Sequence, residues 1–245
     1  MILIVGSNHD DVIYFQSALK DAKEEIILNK YRAYVGTILN QNVMVLQDVY
    51  TSYVSSALLT HIIEKYFVLM VFVVGTCFAQ NKALKVGDIA ISEMATFGDV
   101  DQIRMIKGTE LGQIPGYPQL FYANKELIKN MEESLNSVGA TNFTLCTFMN
   151  SSYYRKDEQL IEELSMEDSI ANRNKNTVLD GVTTGVALAS HLFDIPFISV
   201  KVIEGQAGQK TSIDSYMQIL EEYAVIGKAV TVCIGEISRN DVLRG

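Results

Sequence analysis

Basic residues are in short supply: 20 Lys and Arg stand against 29 Asp and Glu, a net charge of −9 over 245 residues. Phosphate contacts need clustered cations, and no basic run is present, which argues against nucleic-acid binding. Cysteine and histidine are scarce as well. Cys77, Cys146 and Cys233 are odd in number, widely spaced and set among apolar residues, the pattern of buried reduced thiols. His9, His61 and His191 do not pair with them at zinc-like spacings, so no metal site and no cofactor is expected. His61 shares a helical run with Val54, Leu58 and Ile62 and reads as packed. A long apolar run is also lacking. Tyr66–Val74 is strongly apolar but far shorter than the ~20 residues of a membrane span. The opening MILIVGSNHDD has too short an apolar run, and no preceding basic residues, for a signal peptide. A cytoplasmic protein with no membrane partner is therefore expected. Repeats, low-complexity tracts and Pro/Gly/Ser linkers are absent.

What is present is ordinary globular composition, 48% hydrophobic and 20% charged, at a length that by itself allows one or two domains. Ile2–Val5 reads as a buried strand ending at Gly6, and Val12–Ala22 as a helix with Asp10 and Asp11 near its start. Tyr34–Leu39 and Asn42–Leu46 form a hairpin around Asn40–Gln41. Ser52–Tyr66 is a helix with Ser55, Ser56 and Ala57 on a small-residue face; Phe67–Val74 and Ile89–Ser92 are strands. Met94–Gln119 is irregular, as binding loops and subunit contacts often are. Asn124–Val138 is an amphipathic helix, Asn142–Phe148 a strand, and Lys156–Leu164 a helix in a polar, acidic stretch. In a terminal helix, Asp214–Gly235, the residues Met217, Leu220, Tyr223, Ala224 and Ile226 make an apolar stripe. Alternating strands and helices imply one α/β domain over residues 1–245, its sheet sandwiched between helices.

Leu179–Gly208 carries the most functional information. Asp180 precedes a helix of small and apolar residues, Phe197–Ile203 is a buried strand, and a polar turn opens at Glu204. Open α/β folds bind ligands at the carboxyl ends of their strands, which makes Asp180 and Glu204 candidate site residues.

Several segments resemble the purine nucleoside phosphorylase superfamily, and within it the 5′-methylthioadenosine/S-adenosylhomocysteine nucleosidases. ILIVGS with DDV is similar to their first strand and catalytic turn. VVGTCFAQNKALKVGDIAIS is similar to their glycine-rich loop, turn and strand, ELGQIPGYP to a proline loop, and HLFDIPFISVKVI to a late helix–strand unit. The resemblance runs from residue 1 to about residue 230. It implies a three-layer α/β/α sandwich around a twisted mixed sheet, a homodimer in which the loop containing Pro115 reaches the neighbouring site, and hydrolysis of the ribosyl–adenine bond of a purine nucleoside. That reaction develops positive charge on the sugar and negative charge on the purine, so it needs an acid, a base and a group holding the ribose hydroxyls.

Carried over by position, the resemblance leaves gaps. The water-activating Glu falls at Asp11, one methylene shorter. Gly75 and Thr76 open the glycine-rich loop, but Phe78 replaces a glycine, and Tyr50-Thr51-Ser52 stands where the family has Gly-Ile-Gly near the sugar. Phe148 and Met149 match the residues that bracket adenine. Gly181 replaces a methionine on the sugar, and Val182 replaces the ribose-binding Glu. Glu204-Gly205 stands where the family has Ser-Asp, so the purine-protonating acid is replaced by Gly205. Glu204 is one residue away, and strand alternation turns it to the other face unless the chain there is reshaped.

Three readings follow. One is a divergent nucleosidase using Asp11, Asp180 and Glu204. A second is a catalytically impaired homologue that binds a purine nucleoside-like metabolite or a protein partner. A third is a phosphorylase, for which Lys201 is the candidate phosphate ligand, otherwise a strand-end residue serving solubility.

Overall fold

A computed structural model describes residues 1–80, 82–103, 105–150, 176–207 and 213–239. The expected helix at 156–164 lies outside them. The strands are β1 (Ile2–Gly6), β2 (Lys20–Ile27), β3 (Tyr31–Ile38), β4 (Gln41–Leu46), β5 (Met70–Ala79), β6 (Ile89–Phe97), β7 (Phe121–Tyr122), β8 (Phe143–Asn150), β9 (Thr177–Leu179) and β10 (Phe197–Gln206). The helices are α1 (His9–Ala18), α2 (Ser52–Lys65), α3 (Lys125–Ser137), α4 (Thr183–Phe193) and α5 (Ile213–Arg239).

All ten strands belong to one mixed sheet. β5 lies at its centre, parallel to β1 and β10. Successive β5 side chains alternate between faces: Val71 and Val73 join the core under α2 and α4, while Met70, Phe72 and Val74 join the core under α1, α3 and α5. Helices thus cover both faces, in three α/β/α layers. β10 also pairs with β6, β6 with β8, β8 with β9, and β9 with β5, so five strands return on themselves as a ring.

Several boundaries differ from the sequence expectation. The first helix stops at Ala18, and Lys20–Ile27 is an edge strand paired with β3. Its sequence, KDAKEEII, has helix-forming composition, but pairing decides its state, and charge on an edge strand deters further pairing. The β3–β4 turn sits at Leu39–Asn40, both with positive φ, one residue before the expected position. β6 continues to Phe97, inside the stretch expected to be irregular, because Met94, Ala95 and Phe97 are buried against β7 and β8. Beyond β6 the loop is irregular as expected, and the Gln113 and Gln119 side chains tie it to the Tyr117 and Leu111 carbonyls. Met217 is exposed rather than part of the α5 stripe, whose buried face runs through Ile219, Ile226, Val230, Cys233 and Ile237. All three cysteines are buried, and burial pushes the Cys146 and Cys233 thiols up to about 12.

Candidate active site

β1, β5 and β10 run parallel; β1 ends opposite Val74 and β10 opposite Ala79 of β5, so the segments following them lie toward one carboxyl edge. After Gly6, the chain turns through Ser7 and Asn8 into α1. Asp11, at the third helical position, folds back: its Oδ2 accepts hydrogen bonds from the Ser7 and Asn8 amides at 2.7 and 2.9 Å. This satisfies amides that a helix start otherwise leaves open. Asp11 is only 4% exposed, and its Oδ1 accepts from the Tyr223 hydroxyl of α5 at 2.7 Å. Burial raises its carboxyl above the ordinary range, opposed by Tyr223, the two amides and the positive charge of Lys201.

Gly75 makes room for this carboxylate. Its φ is +130°, and a Cβ there would lie 2.6 Å from Asp11 Oδ2. Beside it in register on β10 is Lys201. Lys201 is fully buried, and its Nζ donates to Asp180 Oδ1 at 2.6 Å. The strand-end, solvent-facing reading of Lys201 is therefore corrected: it points into the α4 side of the core. Burial works against its charge, but Asp180, by charge and hydrogen bond, outweighs burial and holds the ammonium above its ordinary range.

Asp180 is 4% exposed. Besides Lys201, it accepts from the Val182 and Thr183 amides at 3.2 and 2.7 Å. These bonds engage both of its oxygens and make it the anchor of the α4 start. Around it, Ser55 Oγ donates to the Val182 carbonyl, and Thr183 Oγ1 donates to Ser199 Oγ. Val182 is itself buried, so neither its side chain nor its bonded backbone offers the acceptor pair that ribose hydroxyls need.

Glu204 lies within β10, which runs on to Gln206 instead of opening a turn. Pairing with β5 slips there: Ile203 pairs with Cys77 and Gly205 with Phe78, leaving Glu204 as the extra residue of a bulge. A bulge breaks strand alternation and re-aims side chains. Glu204 lies near enough to Tyr223 and Cys77 for its charge to contribute to raising both of them, behind larger effects led by burial. Gly205 is half-buried, and a Cβ on it would meet only the Phe78 ring, at 3.7 Å, an ordinary contact.

The other expected site residues are distributed around this edge. Thr76 is half-buried opposite Val202, and Gly181 is half-buried between Asp180 and Val182. Phe148 and Met149 are buried, Phe148 within the core that also holds Val178 and Val182. A purine stacking on Phe148 therefore needs that packing to part. Tyr50 is 58% exposed, its hydroxyl on Asp48, so it does not fill the edge. Pro115 is half-buried in the loop after β6. Among the described residues no cluster of His, Cys, Asp and Glu is suited to a metal ion, and no helix is long and apolar enough to cross a membrane.

Two members of this constellation have partners that the sequence does not reveal. Lys201 is expected as a phosphate ligand or a strand-end residue, whereas its partner is the buried Asp180. Tyr223 was counted in an apolar stripe, which hides a hydroxyl at the end of an otherwise packed ring.

A family model described as the phosphorylase superfamily matches residues 1–232. The 5′-methylthioadenosine/S-adenosylhomocysteine nucleosidase of Staphylococcus haemolyticus is 27% identical over 231 residues, covering 91% of this chain and 94% of that protein. Among solved structures, the nucleosidase of the same description from Colwellia psychrerythraea, in complex with adenine, superposes with a TM-score of 0.82 at 19% identity, covering 96% and 94% of the two chains. The futalosine hydrolase of Helicobacter pylori reaches 0.82 at 17% identity, covering 96% and 97%.

Proposed function

Because the chain belongs to the phosphorylase superfamily, we propose that it is a divergent purine nucleoside N-glycosidase, splitting the ribosyl–adenine bond of methylthioadenosine, adenosylhomocysteine or a close relative with water. The observation that carries this reading is the pair of carboxylates at one strand edge: Asp11 held against Gly75, and Glu204 in the β10 bulge. Asp11 is the base that draws a proton from the attacking water. Raised by burial, its carboxyl sits closer to working pH than an ordinary aspartate, which suits a base. Glu204 supplies the proton to the departing purine, the step for which Gly205 has no group. Lys201, tied to Asp180, holds positive charge beside Asp11 and favours its ionised form. With Val182 in place of a carboxylate, sugar binding is weak and KM is high.

General acid catalysis contributes roughly 10²–10⁴-fold, or about 3–5 kcal/mol of barrier. Glu204→Gln is therefore expected to lower kcat by that order, measured as adenine release from methylthioadenosine. Gly205→Asp, for which there is space, is expected to restore part of the rate in the Glu204→Gln background. Unchanged turnover in Glu204→Gln would remove Glu204 from the mechanism. Absence of turnover in the unaltered protein, with a melting shift on adding nucleoside, would favour a purely binding role.

The same reading carries a homodimer and a cytoplasmic location. The exposed Ile103, Met105 and Ile106, in the same loop as Pro115, support a subunit contact there.

A further inference from the structure

Asp11 has about four acceptor sites as a carboxylate. The Ser7 and Asn8 amides occupy two on Oδ2, and the Tyr223 hydroxyl occupies one on Oδ1. One site on Oδ1 is left with no described donor. Tyr223 comes from α5, more than 200 residues later in the chain, and α5 is pinned to α1 at more than this point. Tyr216 donates to Asp10 Oδ2 at 2.7 Å, and Gly227 lies so close to the Tyr14 ring that a Cβ there would clash. Tyr216 and Tyr223 are seven residues, two helical turns, apart and so share one face of α5. They hydrogen-bond consecutive aspartates, Asp10 half-buried and Asp11 buried.

We propose that Tyr223 is a positioning residue for the nucleoside hydrolysis. Its hydroxyl fixes the Asp11 carboxylate in its ionised, acceptor-only form, with one oxygen site left for the attacking water. The inference rests on Asp11 being the base. A shorter side chain than glutamate places its carboxylate against Gly75, and without a donor from α5 its Oδ1 would be buried with no described hydrogen bond. Groups bearing on Asp11 are Lys201 from β10, Tyr50 from the loop before α2, and Tyr223 from α5; Glu204 and Asp10 bear on Tyr223 in turn. Of these, Lys201 and Tyr223 favour the ionised carboxylate.

The test is Tyr223→Phe, which keeps the ring and removes the donor, with Tyr216→Phe as its control. Losing a hydrogen bond to a charged group is expected to lower kcat roughly 10–100-fold with KM little changed. The acid limb of the kcat/KM profile is expected to move to higher pH, since the Asp11 carboxylate loses stabilisation. Tyr216→Phe leaves both unchanged. Independently of turnover, ¹³C NMR titration of the Asp11 carboxyl, assigned with Asp11→Asn, is expected to show its midpoint moving up in Tyr223→Phe. A lowered melting temperature with an unmoved midpoint and limb would mean packing alone and would overturn the inference. A moved midpoint in a protein that turns over no nucleoside would support the positioning contact while overturning Asp11 as the base.

Discussion

At Asp11, the proposed role as base and the stability of the fold pull in opposite directions. Its carboxyl binds a proton more tightly in the folded protein than in the unfolded chain, because burial penalises the charge. Folded protein is therefore favoured below the ordinary carboxylate pKa, and that advantage is lost as pH rises through the raised value. Asp11→Asn removes the charge. It is expected to stabilise the fold at neutral pH by roughly 0.5–2 kcal/mol while abolishing turnover, the pattern of a site kept for activity. Urea unfolding at a series of pH values checks this: the gain should shrink as pH falls and Asp11 protonates. A destabilised Asp11→Asn at neutral pH would show that its hydrogen bonds outweigh the burial cost. Sequence could identify Asp11 as a carboxylate at a helix start, but not its burial, which is made by Tyr223, Gly75 and Lys201 from three other elements.

The elements at the site are joined by the Lys201–Asp180 pair, which links β10 to the β9–α4 connection. Removing one member of a buried ion pair leaves the other charge uncompensated, at a cost of about 3–5 kcal/mol. Lys201→Met is expected to cost that much in denaturant unfolding. The double variant with Asp180→Asn is expected to recover most of it, since no bare charge then remains and the amide oxygen still accepts from the α4 start. Equal losses in the single and double variants would show that the pair is not the source. Most elements here were legible from sequence: α2, α3 and β8 have clear periodicity and fall within a few residues of expectation. The misses share a cause. Lys20–Ile27 and the end of β6 are strands because of partners distant in sequence, and the β10 bulge that re-aims Glu204 is visible only in its register with β5.

Across the whole molecule, the segments that follow the parallel strands β1, β5 and β10 gather at one carboxyl edge, the place proposed above for the nucleoside, and that much follows from the alternating pattern. The return of five strands into a ring does not, because its pairings join residues as far apart as Phe78 and Gly205. The exposed apolar side chains near the β6 loop lead to an expectation at this scale: light scattering at micromolar concentration should give the mass of two chains, and Met105→Asp should lower it toward one. A monomer in the unaltered protein would contradict the dimer. The most direct test of the central claim is incubation of the purified protein with methylthioadenosine in phosphate-free H₂¹⁸O, followed by mass spectrometry. The account predicts free adenine and a thiosugar carrying one ¹⁸O, both lost in Asp11→Asn. Intact nucleoside after prolonged incubation, or the same release in Asp11→Asn, would contradict it.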